Sequence, residues 1–133
     1  MKYEKKAGLL ICLLALLLLS GCRARNTFDG SMTADSGSFE LSYAMLDQEQ
    51  AAGLTLTAGD RLLVRLSHTD GSVDVTVGQP GKEPIYRGNG QANAEFALEI
   101  AESGVYHISV TGHRAVGQAS FLRASADPAQ ENP

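Results

Sequence analysis

Tryptophan is absent from this 133-residue chain and aromatic residues make up only 6% of it. A glycan site built from a row of exposed rings therefore has little to draw on. Cysteine is nearly absent as well: the two present, Cys12 and Cys22, both fall within the first 22 positions. That excludes a disulfide framework or a cysteine-ligated metal cluster further along. Basic side chains are few, 11 against 15 acidic. They are also scattered, so the positive footprint of a nucleic-acid binder is missing. The longest apolar run, Leu9 to Leu19, has 11 residues, too few for the ~20 that a membrane-crossing helix needs. Catalytic signatures are wanting too. There is no Gly-x-Ser-x-Gly elbow. Gly78-Gln79-Pro80-Gly81-Lys82 is too short to cradle a phosphate, and Gly88-Asn89-Gly90-Gln91-Ala92-Asn93 ends in Asn and leads into a strand. His68, His107 and His113 lack the spacing of a zinc site. These absences read as a non-catalytic protein that needs no cofactor.

What is present at the N-terminus is an address. Lys2, Lys5 and Lys6 form a positive region ahead of the Leu9 to Leu19 run, whose length suits a secretory signal. The run is followed by Leu19-Ser20-Gly21-Cys22, which resembles the lipobox of bacterial lipoproteins. The resemblance implies cleavage after Gly21, attachment of diacylglycerol to the Cys22 thiol and a new amino group open to acylation. Two or three acyl chains anchor a protein stably, whereas one holds it marginally. Residues 1–21 are thus expected to be a signal helix that is removed. The remainder carries eight basic and fourteen acidic side chains, and is expected on the outer side of a membrane, held by lipid.

Residues 22–37 are polar, small and aperiodic, and read as a flexible tether; residues 124–133, with two prolines, read as a disordered tail. Between them, 38–123 alternates. Phe39, Leu41, Tyr43 and Met45 recur with period two, as do Leu62, Val64 and Leu66; Val73, Val75 and Val77; Phe96, Leu98 and Ile100; and Tyr106, Ile108 and Val110. Shorter strands are expected at Leu54–Leu56, at Pro84–Tyr86 and over 118–123. Period two buries one face of a sheet. Turns are expected at Ala58-Gly59-Asp60, His68 to Ser72, Gly78 to Gly81, Gly88-Asn89-Gly90 and Glu102-Ser103-Gly104. Ala44 to Ala52 is too short and polar for a buried helix and reads as a strand end plus loop. About eight strands with turns at this spacing predict an all-β, antiparallel β-sandwich of jelly-roll type.

Leu56-Thr57-Ala58-Gly59-Asp60-Arg61-Leu62, Asp70-Gly71-Ser72-Val73-Asp74-Val75 and Glu102-Ser103-Gly104-Val105-Tyr106-His107-Ile108-Ser109-Val110, in this order, resemble the bacterial pre-peptidase C-terminal domain. The resemblance implies a β-sandwich serving as a secreted accessory module that binds a polymer or assists a neighbour.

The residues themselves suggest a few contact points. Asp60, Asp70 and Asp74, with Glu40, are calcium candidates because loop carboxylates suit a hard cation, although turn geometry alone accounts for Asp60 and Asp70. Tyr86 with Arg87 and Asn89 is the candidate ligand platform. The expected function is contact with an envelope component or a protein partner, with the membrane met through the lipid anchor and nucleic acid excluded. The alternative is a glycan- or small-ligand-binding module that serves a transporter or a secreted enzyme.

Overall fold

The computed structural model describes residues 27–126. The signal, Cys22 and residues 127–133 lie outside them. Seven strands follow one another: β1 (Phe28–Ala34), β2 (Ser38–Leu46), β3 (Glu49–Leu56), β4 (Arg61–Gly78), β5 (Tyr86–Gln91), β6 (Ala94–Glu99) and β7 (Gly104–Ala124). All pairings are antiparallel. No helix among the described residues is long and apolar enough to cross a membrane.

The two long strands organise the fold. β4 has 18 residues and β7 has 21, well beyond the usual strand length, because each serves both layers of a sandwich. The first part of β4 pairs with β6 and with the end of β7; its last part pairs with β5 and with the start of β7. β2 takes the end of β7 and β3 its beginning. One layer therefore reads β1-β2-β7-β4-β6 and the other β3-β7-β4-β5. Traced along the chain, β2, β3 and the two parts of β4 fold back on the two parts of β7, on β6 and on β5. This is one long hairpin rolled into two layers, the connectivity of a jelly roll.

Passing from one layer to the other requires the buried face to change parity. In β4 the buried positions are Leu62, Val64, Leu66 and His68, then Val73, Val75 and Val77; in β7 they are Tyr106, Ile108 and Val110, then Ala115, Ala119 and Phe121. Register slips between His68 and Ser72 supply the change in β4. Gly71 there has φ +69°, and a Cβ would fall 2.2 Å from the Arg114 carbonyl oxygen. Gly117 reciprocates in β7, where a Cβ would fall 2.1 Å from the Ser67 carbonyl oxygen. Each long strand thus bends at a glycine packed on the other's backbone. The core lies between the layers, and within one of them Phe39 stacks on its cross-strand partner Phe121 at 5.9 Å between centroids.

Several expectations change. The strands among the described residues number seven rather than about eight: β4 and β7 each fuse two expected strands, and β1 is an addition. Phe28–Ala34 is not tether but a strand paired along its length with β2. His68 to Ser72 is a crossing inside β4, so the positive φ that Asp70-Gly71 signals is used for a bulge and not a hairpin. Gly88-Asn89-Gly90 lies within β5, and the turn falls at Ala92-Asn93. Ala44 to Ala52 is mostly strand, interrupted only at Asp47-Gln48. Ala124 closes β7 instead of opening a tail.

Candidate functional site

The outer face of the five-stranded layer carries the most continuous recess. Cross-strand partners share a face, so the register arranges its outward side chains in rows. One row is Thr33, Glu40, Ser120, Arg65 and Glu95; a second is Ser31, Ser42, Gln118 and Ser67; a third is Ser38, Leu122, Leu63 and Ala97. Two hollows follow these rows. The first, about 300 Å³, is bounded by Leu63, Phe96, Leu122 and Glu95; the second, about 440 Å³, by Ser31, Thr33, Glu40, Ser42 and Gln118. Both are lined by Arg65, Ser120 and Leu122, which makes them one trough running across the strands. Five strands at ~4.8 Å spacing give it a length of roughly 19 Å.

The chemistry of this trough follows from its residue types. Small hydroxylated side chains form the floor and leave it open. Interior strands have their backbone groups already paired, so recognition falls to side chains. Leu63 and Leu122, directly opposite each other, are 43% and 37% exposed, an apolar step in an otherwise polar surface. Beside them Arg65 Nη2 donates to Glu95 Oε1 at 2.9 Å, both side chains remaining open to solvent. Glu40 holds a carboxylate on the far side of Ser120 in the same row. Hydroxyls, an amide, one cation and two carboxylates around an apolar step can hold an extended amphipathic chain by many weak contacts.

The residues singled out in the sequence do not converge. Asp60 is buried in the turn before β4, where it accepts from Thr57 N–H at 2.8 Å and from Arg123 Nε at 2.7 Å. Burial pushes its carboxyl up, but those two donors, the Arg123 charge and a hydrogen bond from the Ala126 backbone outweigh it and hold it below the usual range. Asp74 lies in the other layer; His113 Nε2 at 2.7 Å, and the Gly90 N–H at 2.8 Å, lower its carboxyl. Asp70, at the crossing, takes the Gly71 N–H at 3.0 Å. Glu40 lies in the trough. The calcium candidates therefore share no site, and no group of three potential ligands stands together among the described residues.

Tyr86, Arg87 and Asn89 are likewise separated. Alternation along β5 turns Tyr86 inward, half-buried against Phe96 at 4.8 Å between centroids, and leaves Arg87 and Asn89 exposed. The ring closes the open side of the sandwich between β5 and β6 and offers no outward platform. Cys22 lies outside the described residues.

One polar cluster went unnoticed in the sequence. His68, expected in a turn, is buried; its Nδ1 meets the Ala92 carbonyl at 2.6 Å and its Nε2 faces the Tyr43 hydroxyl. The signal was available, since Leu62, Val64 and Leu66 continue in step to 68. His113 lies in β7.

No protein-family model matches the sequence, and no curated protein does.

Proposed function

We propose that the chain is a lipid-anchored extracytoplasmic lipoprotein whose sandwich is a non-catalytic binding or accessory module, and that it meets an extended envelope polymer through the trough on its five-stranded layer. The observation that carries the binding part is the trough itself: a continuous recess of small hydroxylated side chains around the exposed Leu63–Leu122 pair. Exposed leucines facing each other on an outer sheet surface cost solubility, and ligand contact gives them a use. The anchoring part is supported by Leu19-Ser20-Gly21-Cys22 following an apolar run of signal length. A small-ligand site centred on Tyr86 has less support, because that ring is half-buried against Phe96.

Two substitutions test the reading. Cys22→Ala is expected to leave the membrane fraction; retention there without lipid mass overturns the anchor. Ser120→Trp, in the trough floor, is expected to abolish co-sedimentation with purified envelope polysaccharide while the melting temperature holds. Undiminished co-sedimentation of the folded variant overturns the trough.

A further inference from the structure

β1 is built unlike the other strands. Its burial is confined to Phe28, which is half-buried, while Asp29 to Ala34 are exposed. The reason is architectural. The five-stranded layer has one strand more than the layer beneath it, and β1, at the outer edge of its layer, faces solvent on both sides. Its register with β2 slips between Asp29 and Gly30. Hydrogen bonds to one neighbour thus hold a strand that buries almost no apolar surface, the profile of a segment of low local stability.

The turn after β1 is built the other way. Within it, Gly37 N–H donates to Asp35 Oδ1 at 2.8 Å. Outside it, the Ser36 carbonyl accepts from Thr55 N–H at 2.9 Å and the Gly37 carbonyl from Arg123 N–H at 2.8 Å. Detachment of β1 therefore stops at this turn. β2 remains paired with β7 along its other edge, and Phe39, Leu41 and Tyr43 remain in the core.

β1 also begins at one defined end of the sandwich. Phe28 stands opposite Leu46, and Asp47 N–H donates to the Thr27 carbonyl at 2.7 Å. Thr27 lies five positions after Cys22, a link that reaches ~18 Å at full extension. With β1 released as far as the turn, Asp35 lies thirteen positions after Cys22, and the reach becomes ~45 Å.

We propose that β1 is a releasable spacer. Paired with β2, it holds the sandwich against the membrane; detached, it takes Ser31 and Thr33 out of the trough and lets the part from Glu40 to Glu95 reach more than twice as far, while the rest of the fold stays intact. The change in reach rests on Cys22 being the anchor, whereas the release of β1 does not.

Hydrogen exchange followed by mass spectrometry on the full lipidated chain in phosphatidylethanolamine–phosphatidylglycerol vesicles tests the release. The amides of 30–34 are expected to exchange at least about tenfold faster than those of 39–43. Ser31→Cys with Ser42→Cys joins directly opposite residues at a separation a disulfide tolerates, and oxidation is expected to slow exchange in β1. Phe28→Ser is expected to speed it and to leave β7 unchanged. Equal protection of β1 and β2 in the unaltered chain overturns the proposal. Neutron reflectometry on a supported bilayer of the same lipids reads the reach: the protein layer is expected to be thinner for the oxidised pair than for the reduced one. Equal thickness, with β1 exchange slowed by oxidation, overturns the spacer role. A protein that forms no layer sinks the anchor, and the exchange measurement still decides the release.

Discussion

Arg123 near the end of β7 places its Nε 2.7 Å from Oδ2 of Asp60, a carboxylate buried in the turn before β4. The same oxygen accepts from Thr57 N–H. One carboxylate thereby ties the turn that launches β4 to the strand lying beside it. Asp60→Ala leaves the Thr57 N–H, the Arg123 guanidinium and the Ala126 backbone donor without this acceptor and is expected to cost about 1–3 kcal/mol in denaturant unfolding. The carboxyl is held below its ordinary value when folded, so its contribution is present above the unfolded pKa of ~3.9 and fades as pH falls through the folded one. The stability gap between parent and variant is therefore expected to be flat from pH 5 to 7 and to close below pH ~4. A gap that widens in acid contradicts this assignment.

Tyr43 in β2 and His68 in β4 meet over Gly117 of β7, the register partner of both. The Ala92 carbonyl at 2.6 Å from Nδ1 assigns the ring proton to that nitrogen, which leaves Nε2 to accept from the Tyr43 hydroxyl. Burial pushes the Tyr43 hydroxyl well above the usual phenol range, so it stays a donor. Tyr43→Phe orphans a buried nitrogen and is expected to destabilise by about 1–3 kcal/mol. Adding His68→Leu removes the orphan as well, and the double variant is expected to lose less than the two singles together. Additive losses mean that the two side chains do not interact.

Gly71 and Gly117 carry the two layer crossings. Alanine at either meets a carbonyl oxygen at close to 2 Å in a backbone region that favours glycine. Each is expected to lower stability by about 2 kcal/mol or more, visible as a lower melting temperature. Gly81, with φ +77° and nothing within 4 Å of its would-be Cβ, lacks the collision, and alanine there is expected to cost less. Equal effects at Gly71 and Gly81 speak against crossings fixed by contact.

These glycines also mark where sequence reading stops. Alternation at Leu62, Val64 and Leu66 and at Tyr106, Ile108 and Val110 is a local property of a half-buried sheet, so the all-β class and most of the core were legible. Whether Asp70-Gly71 closes a hairpin or bends one continuous strand is decided by Arg114, 43 positions later, against which the glycine packs. No local pattern carries that. β1 escaped notice for a related reason: with both faces in solvent it has no alternation to show. The trough was half legible. The outward polar faces containing Arg65 and Glu95 could be read from parity, but their alignment with Ser120 and Glu40 depends on the pairing of β2, β7, β4 and β6.

Leu62 and Leu63 set a final contrast, because neighbours in one strand lie on opposite faces. Leu62 is fully buried, whereas Leu63 is 43% exposed beside Leu122 in the trough. Leu62→Ala opens a cavity and is expected to cost about 2–5 kcal/mol. Leu63→Ala removes surface that the fold already leaves wet and is expected to change stability by less than about 1 kcal/mol. If the exposed pair serves recognition, the ordering reverses for binding. Leu63→Ala with Leu122→Ala then weakens co-sedimentation with envelope polysaccharide at least about tenfold, while Leu62→Ala binds normally at temperatures where it is folded. A double variant that is markedly unstable, or that binds like the parent, assigns the two leucines to folding and not to the trough.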